Sequence, residues 1–336
     1  MNDEPVRLLH GSGQGLQLLL NQVVLPSLHI HEKDGPLEDA ALLTGLTGTL
    51  AFTTDSFVVN PLRFNGGDIG KLAACGTIND LAMMGAKPHA LSVSLIIEEG
   101  LLFSDLKSFL NSLRQECETA GAAIVCGDTK VVDAGKGDGL YINTSGIGRV
   151  STPYNLSAAH ARPGDCVIVS GPIGQHGIAI LAARQQLGFS STVVSDCAAL
   201  DKLALTLLEA VPETRVLRDA TRGGCAAVLN EIADASNVTI TLDQAAIPVQ
   251  PGVAAACDYL GLDPLQVANE GRFVAVVPEA SAGKALGALK RHPLGKDSAL
   301  IGQVELRERF GLLIQTEIGG KRIVEMPSGL LLPRIC

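Results

Sequence analysis

TLAFTTDSFVV, residues 49–59, and DIGKLAACGTINDLAMMGA, residues 68–86, are the stretches that decide the fold. The first is rich in β-branched and aromatic residues and stops before Pro61, which predicts a strand with Asp55 near its end. The second has apolar residues at helical spacing and stops at Gly85, which predicts a helix. A strand followed by a helix is the start of an α/β or α+β domain.

The remaining sequence continues this alternation of strands and helices. Strands are predicted at ALSVSLII, AAIVCGDTKVV, GLYINTSGIGRV, CVIVSG, VTITL, RFVAVV, ALIGQV and GLLIQT, and helices at SDLKSFLNSLRQECETAG, HGIAILAARQQLG, ALDKLALTLLEAV and GGCAAVLNEIADASN. Residues 151–164 hold two prolines and little periodicity, so we place a domain boundary there. The pattern predicts domains at 1–155 and 156–316, followed by a mobile tail at 317–336 with an exposed thiol.

Composition narrows the class of protein. The 336 residues are 46% apolar and 18% charged, which is typical of a globular chain. The net charge of −9 and the absence of Trp disfavour a nucleic-acid surface, although a nucleotide can still be bound through backbone amides or a cation. The N-terminus lacks a signal peptide, and no run of 18 apolar residues occurs, so we expect a soluble cytoplasmic protein without a membrane segment.

The usual phosphate-binding motifs are missing. The stretch around Gly70-Lys71 has Asn65 and Leu72 where a Walker loop needs glycine and a hydroxyl. The glycine-rich HGSGQG at 10–15 has the wrong spacing for a dinucleotide fingerprint and follows no strand. Taken alone, it reads equally well as an ordinary loop with a helix cap at Ser12.

Four aspartates at the ends of apolar segments form the best candidate ion site. Each alone reads more readily as a cap or turn residue, but together they offer the hard oxygens that magnesium prefers beside the phosphates of ATP. They are Asp55, Asp80, Asp128 and Asp219. The nearby cations Lys71, Lys130 and Arg222 could meet phosphate oxygens, or could simply be surface charge.

The eight cysteines are scattered and include no CxxC pair, which argues against a zinc or redox site. Most are predicted to be small core residues. The exception is Cys336, the last residue, which is not placed for prenylation. A terminal cysteine without further context is usually incidental.

Several short motifs resemble a known superfamily, the one that contains aminoimidazole ribonucleotide (AIR) synthetase, thiamine-phosphate kinase, selenophosphate synthetase and the HypE hydrogenase maturation factors. They are TTDSFV at 53–58, NDLAMMGAKP at 79–88, GDTK at 127–130 and DATRGG at 219–224. Four others resemble the HypE family in particular, namely HGSG at 10–13, ANEG at 268–271, HPLGKD at 292–297 and PRIC at 333–336. The resemblance covers essentially the whole chain.

The resemblance implies a two-domain PurM-like (AIR synthetase-like) fold, in which the N-terminal domain pairs with a second copy in a dimeric β-barrel and ATP lies between the domains. The four aspartates would hold magnesium. The residues implied in ATP binding, besides those aspartates, are Gly11, Ser12, Gly13, Lys71, Asn79, Thr129 and Lys130. In this chain Gln14 replaces a glycine that is common in the family's turn.

The implied reaction is the ATP-dependent dehydration of an S-carbamoyl group on Cys336 to a thiocyanate, which supplies cyanide to the iron of [NiFe]-hydrogenase. Lys130 or Glu270 would be the base, although Glu270 could be a structural turn residue. The implied partners are the carbamoyltransferase HypF, the HypC and HypD iron carrier, and a second copy of the chain. Two alternatives remain open, a free small-molecule substrate and an ATP-gated scaffold without catalysis.

Overall fold

The computed structural model describes residues 4–30, 41, 43, 45–150, 154–184, 191–327 and 334–336. Its strands are β1 Thr49–Phe57, β2 Arg63–Phe64, β3 Gly67–Asp68, β4 Ala86–Glu98, β5 Ala123–Val132, β6 Leu140–Val150, β7 Asp165–Val169, β8 Val216–Asp219, β9 Val238–Asp243, β10 Phe273–Pro278, β11 Ala299–Leu306, β12 Leu312–Gln315 and β13 Lys321–Ile323. Its helices are α1 Gly13–Leu19, α2 Leu25–Ser27, α3 Ile69–Met83, α4 Phe103–Ala120, α5 Gln175–Ala183, α6 Asp201–Ala210, α7 Gly224–Ala235, α8 Pro251–Leu260 and α9 Glu279–Lys290.

The N-terminal sheet has the strand order β1-β6-β4-β5, in which only β4 and β5 pair in parallel. Helices α3 and α4 cover one face. The Asp68 carboxylate caps α3 by accepting from the Lys71 amide at 2.9 Å, and α4 ends at Gly121, whose φ of 74° suits a glycine. The other face of the sheet is open, and its side chains are partly exposed.

The C-terminal sheet has the order β13-β12-β9-β11-β7-β10-β8, and all pairs except β12–β9 are antiparallel. Both of its faces are covered. Along β10, Phe273, Ala275 and Val277 pack against α6 and α9, while Val274 and Val276 pack on the side of α7. The near-continuous apolar runs in β7 and β10 follow from this double burial.

The predicted α/β fold with two domains is confirmed, but some elements were not predicted. Helices α8 and α9 and strand β8 were not predicted from the sequence. The predicted tail at 317–336 also begins too early, because Lys321–Ile323 forms the edge strand β13 on β12. Over the part of the chain that the model describes, no helix is long and apolar enough to cross a membrane.

Candidate functional site

Three of the four predicted magnesium ligands lie where the two domains meet. Asp55 is near the end of β1, Asp80 lies in the last turn of α3, and Asp219 ends β8. Helix α3 contacts both of these strands. Each of the three carboxylates is half-buried.

Glycine 76 allows α3 to approach β1 closely enough to form this cluster. A Cβ atom on Gly76 would lie 2.8 Å from Cζ of Phe57 and 3.7 Å from Oδ2 of Asp55. One turn further along the helix, Asp80 accepts a hydrogen bond at 2.6 Å from the Thr53 hydroxyl on β1. The helix therefore places its carboxylate beside the strand that carries Asp55.

Asn269 ties the third aspartate to the ANEG segment. Its Nδ2 donates to the carbonyl of Ala220, which directly follows Asp219, at 2.8 Å. Its Oδ1 accepts from the Gly174 amide at 2.7 Å. As a result, the loop after β8 and the segment that carries Glu270 are held as one unit.

The cluster carries excess negative charge. Burial, reinforced by the Asp80 carboxylate and opposed by Arg222, raises the pKa of Asp55 to about 6. Burial, again reinforced by Asp80, raises the pKa of Asp219 to about 7. Closely spaced carboxylates resist ionisation together, and a bound cation removes that cost.

This donor set fits magnesium bound together with ATP. Among the residues that the model describes, no three His, Cys, Asp or Glu side chains form a ready metal-binding group. Magnesium commonly takes only one or two protein carboxylates and completes its shell with water and substrate phosphates. Asp55, Asp80 and Asp219 have the chemistry for that arrangement.

Glu270 lies deeper in the same site. Its side chain is 3% exposed, and its Oε1 is the one buried side-chain polar atom without a hydrogen-bond partner within the described ranges. Burial, with the nearby Cys197, Asp219 and Asp196, raises its pKa well above the ordinary value. A buried carboxyl without a hydrogen-bond partner is energetically costly. This cost favours a functional role for Glu270 over the role of a structural turn residue.

The terminal thiol is close enough to this carboxyl for the charge of Glu270 to act on it. Burial, reinforced by Glu270 and opposed by Arg222, raises the pKa of the Cys336 thiol to about 12. The charge of Asp55 contributes in the same direction as Glu270. Cys336, Glu270 and the aspartate cluster therefore share one site.

The prediction of an exposed thiol is wrong for this structure. The Val58 amide donates to the Cys336 carbonyl at 3.1 Å, and the Asn60 amide donates to the Arg334 carbonyl at 3.2 Å. Ile335 is 2% exposed and joins the N-terminal core. These contacts dock the last three residues beside the end of β1, while 328–333 lie outside the described residues.

Asp128 and Lys130 do not join the cluster within one chain. They lie on the open face of the N-terminal sheet, where their side chains pair at 2.6 Å. Thr129 between them points to the helix-covered face and is 7% exposed. In addition, β5 is three strand spacings, about 14 Å, from β1. The predicted four-aspartate set is therefore divided between the two faces of the sheet.

Asn79 is structural, contrary to the prediction of a nucleotide contact. Its side chain is 1% exposed; Nδ2 donates to the carbonyls of Ala198 and Glu270 at 3.2 and 3.4 Å, and Oδ1 accepts from the Leu200 amide at 2.8 Å. Lys71 is also apart from the cluster, since it precedes Asp80 by nine residues, about 13 Å along α3. Its ammonium group donates to the Gly66 carbonyl at 3.3 Å.

The glycine-rich turn lies against β5, at the edge of the sheet opposite β1. A Cβ atom on Gly11 would lie 3.3 Å from Cβ of Val131, near the end of β5. Ser12 occupies the cap position of α1, but its hydroxyl makes no capping bond, and Gly13 opens the helix. Ser12 is therefore at the predicted cap position, but its side chain does not cap the helix.

Three residues that contact the docked tail or the ANEG segment were not predicted from the sequence. His176 and Arg184 contact the docked tail, and the Asp196 carboxylate accepts from the amides of Glu270 and Gly271 at 3.1 and 2.9 Å. None carries a local signal, because His176 and Arg184 belong to a segment with the pattern of a core helix. Only the tertiary structure shows their roles.

Comparisons with known proteins agree over the whole chain. The N-terminal domain model of AIR synthase related proteins matches residues 37–150, and the C-terminal domain model matches residues 162–315. A carbamoyl dehydratase HypE of Bradyrhizobium diazoefficiens is 48% identical over 98% of this chain and 96% of its own.

Two solved structures are also similar. The crystal structure of a hydrogenase maturation protein HypE in complex with ATP has a TM-score of 0.91 and 42% identity, covering 98% of this chain and 99% of that one. A chain in the crystal structure of a HypE-HypF complex has a TM-score of 0.80 and 47% identity, covering 86% and 93%.

Proposed function

The chain belongs to the HypE family of AIR synthase related proteins, and on that premise we propose that it is a carbamoyl dehydratase acting on its own C-terminus. ATP drives the conversion of an S-carbamoyl group on Cys336 to a thiocyanate. The observation that supports this proposal is the docked tail, in which the charges of Glu270 and Asp55 act on the half-buried Cys336 thiol.

The reaction balances as a phosphorylation followed by an elimination. The carbamoyl oxygen attacks the γ-phosphorus of ATP, and the bond from that phosphorus to the ADP oxygen breaks. A base then removes the two nitrogen-bound protons in turn, of which one ends on the phosphate and one in solvent. The nitrogen electrons complete the C≡N bond, and the carbon–oxygen bond breaks to release phosphate. The products are S-cyano-Cys336, ADP and phosphate.

Glu270 is the base that we favour over Lys130. Its charge acts on Cys336, and its raised pKa makes its ionised form a stronger base than an ordinary carboxylate. Lys130 lies on the other face of the sheet in a pair with Asp128. Of the two candidates, Glu270 is the one whose charge acts on Cys336 within one chain.

Asp55, Asp80 and Asp219 would hold magnesium, and Gly11, Ser12 and Gly13 would close over the phosphates from the β5 side. When bound, the ion would offset the negative charge of the triphosphate. Arg222 acts to lower the pKa of both Asp55 and Cys336, which supports its guanidinium as the cation that would meet phosphoryl oxygens in the site.

The proposed partners follow from the two ends of the reaction. The chain resembles the HypE of a HypE-HypF complex, which supports HypF as the donor of the carbamoyl group. HypC and HypD would receive the cyanide for iron. We place this chemistry in the cytoplasm, where a free thiol stays reduced.

A homodimer is proposed through the open face of the N-terminal sheet. Leu50, Phe52 and Ile96 lie on that face and are 41%, 72% and 44% exposed. Pairing of two such faces would bury these side chains and create the expected barrel. Cross-linking through a cysteine placed at Phe52 would test this pairing.

The test is a two-stage mass measurement. The chain is first carbamoylated with HypF and carbamoyl phosphate and then repurified, so that HypF no longer consumes ATP in the second stage. ATP or a non-hydrolysable analogue is then added, and intact mass is followed over time. We expect loss of one water from the adduct with ATP alone, and no adduct in C336S.

A free small-molecule substrate would give a different result. ATP hydrolysis that continues unchanged in C336S, with no loss of water from the loaded wild type, would favour that alternative. Loading both E270Q and K130A then identifies the base. Dehydration that survives in E270Q and is lost in K130A would assign the base to Lys130.

A further inference from the structure

His176 is a buried imidazole that the proposed reaction does not use. It lies at the start of α5 with 0% exposure, and its Nε2 is 2.7 Å from the carbonyl oxygen of Ile335. We propose that His176 is a positioning residue, which anchors the C-terminal tail and thereby holds Cys336 at the site of dehydration. This inference rests on the proposed function.

The surrounding hydrogen bonds fix which ring nitrogen carries the proton. Ser195 Oγ accepts from the Cys197 amide at 3.1 Å and lies 2.8 Å from Nδ1 of His176. If Nδ1 carried the only ring proton, Nε2 and the Ile335 carbonyl would face each other with lone pairs at 2.7 Å. The Ser195 hydroxyl therefore donates to Nδ1, and Nε2–H donates to Ile335.

The Asp196 carboxylate fixes the position of His176 relative to Glu270. Its Oδ1 accepts from the His176 amide at 2.9 Å, while its Oδ2 accepts from the amides of Glu270 and Gly271. One buried carboxylate thus holds both the residue that grips the tail and the segment that carries the base. A tail anchored at His176 therefore also has a fixed position relative to Glu270.

The docked conformation is held by several weak contacts against a backbone cost. Arg334 has a φ of 53°, in the left-handed region that side chains other than glycine disfavour. Its guanidinium pairs with Asp138 at 2.6 Å, and its carbonyl accepts from Arg184 at 2.7 Å. Because the stabilising contacts and the backbone cost oppose each other, loss of one buried hydrogen bond measurably changes the fraction of molecules in which the tail is docked.

Docking buries the tail, whereas carbamoylation by another enzyme requires the tail to be accessible. Ile335 is buried, so a docked tail does not present Cys336 to another enzyme. Weakening the anchor is therefore expected to slow dehydration without slowing carbamoyl transfer. A residue that serves only general stability would lower both rates.

The experiment compares H176A with H176Q, whose amide keeps a donor for Ile335. His160, a histidine of the C-terminal domain outside the site, provides the control H160A. Each loaded and repurified variant is given ATP in a single turnover. We expect dehydration about tenfold slower in H176A, within about threefold of wild type in H176Q, and unchanged in H160A, with loading by HypF undiminished in all three.

A second measurement does not depend on the proposed reaction. Unloaded protein is alkylated with iodoacetamide, and modification of Cys336 is quantified by peptide mass spectrometry against the exposed Cys126. We expect Cys336 to react about tenfold faster in H176A and close to the wild-type rate in H176Q. If H176A does not fold, S195A, which removes the hydroxyl donor to Nδ1, decides by the same alkylation.

The outcomes separate the two ideas. Wild-type alkylation rates in both H176A and S195A would overturn the anchor. Dehydration in H176A at the wild-type rate would overturn its positioning role. Failure of the loaded wild type to lose water with ATP would instead refute the proposed function, and the alkylation result would still decide whether His176 anchors the tail.

Discussion

Replacement of Asp219 by asparagine is expected to stabilise the ligand-free protein while it abolishes dehydration. Burial raises the pKa of this carboxyl from 3.8 to about 7. In the unfolded chain it ionises near 3.8, so between these pH values the folded state binds more protons and stability falls as pH rises. At about 1.4 kcal/mol for each pKa unit, the cost above pH 7 is about 4 kcal/mol.

Asparagine keeps the shape of the side chain and removes this cost. The gain in the free energy of unfolding of D219N over wild type should be small near pH 4, rise between pH 4 and pH 7 and then level off. Between pH 5 and pH 8 the gain should increase by about 1–2 kcal/mol, since water at the half-buried carboxylate lowers the full figure of about 2.6 kcal/mol. Urea unfolding of the two proteins at both pH values, without ATP or magnesium, measures this difference.

D128N is the matched control. Asp128 is exposed, and its hydrogen bond to Lys130 lowers its pKa, so its replacement should bring no stabilisation that grows with pH. A D219N protein whose advantage over wild type is the same at pH 5 and pH 8 would refute the reasoning. So would an Asp219 variant that keeps full ATP-dependent dehydration.

Three further predictions concern packing and pairing. G76A should cost about 1–3 kcal/mol in urea unfolding, because its methyl group would lie 2.8 Å from Phe57; a change below about 0.5 kcal/mol would contradict this. N79A should cost about 2–4 kcal/mol because three buried hydrogen bonds are lost, yet the folded variant should bind ATP as wild type does in calorimetry; tenfold weaker binding would restore the nucleotide role. K130A should raise the pKa of Asp128, as measured by NMR, with little change in stability; an unchanged pKa would show that the pair does not form in solution.

The fold was predictable where a segment is buried in a regular pattern. β1 and α3 follow the predicted strand and helix closely, because alternation and helical spacing report burial directly. Helices α8 and α9 are rich in alanine and were not predicted, although their apolar residues do recur on one face. Strand β13 is short and wholly exposed, so no apolar pattern marks it.

The site was predictable only in part. The aspartates of β1, α3 and β8 were found as polar residues at the ends of apolar segments, and the structure brings them together. The same reasoning included Asp128, because a sequence does not show which face of a strand a side chain takes until its register is known. Asn79 was misassigned for a related reason, since a buried amide in a helix looks the same in sequence whether it binds a ligand or a backbone.

The docked tail imposes an order on the proposed reaction. The thiolate of cysteine is its nucleophilic form, and a rise in the pKa of Cys336 from 9.0 to about 12 lowers its thiolate population at neutral pH about a thousandfold. A docked, unloaded Cys336 is thus a poor acceptor for a carbamoyl group, and loading belongs to the undocked tail. Once the sulfur is carbamoylated it no longer ionises, so the repulsion from Glu270 and Asp55 that opposes a docked thiolate disappears. At neutral pH the unloaded tail also ends in a neutral thiol, so loaded and unloaded tails should differ in docking only as pH rises toward the ordinary pKa of 9.0, where an undocked thiol ionises and a docked one does not.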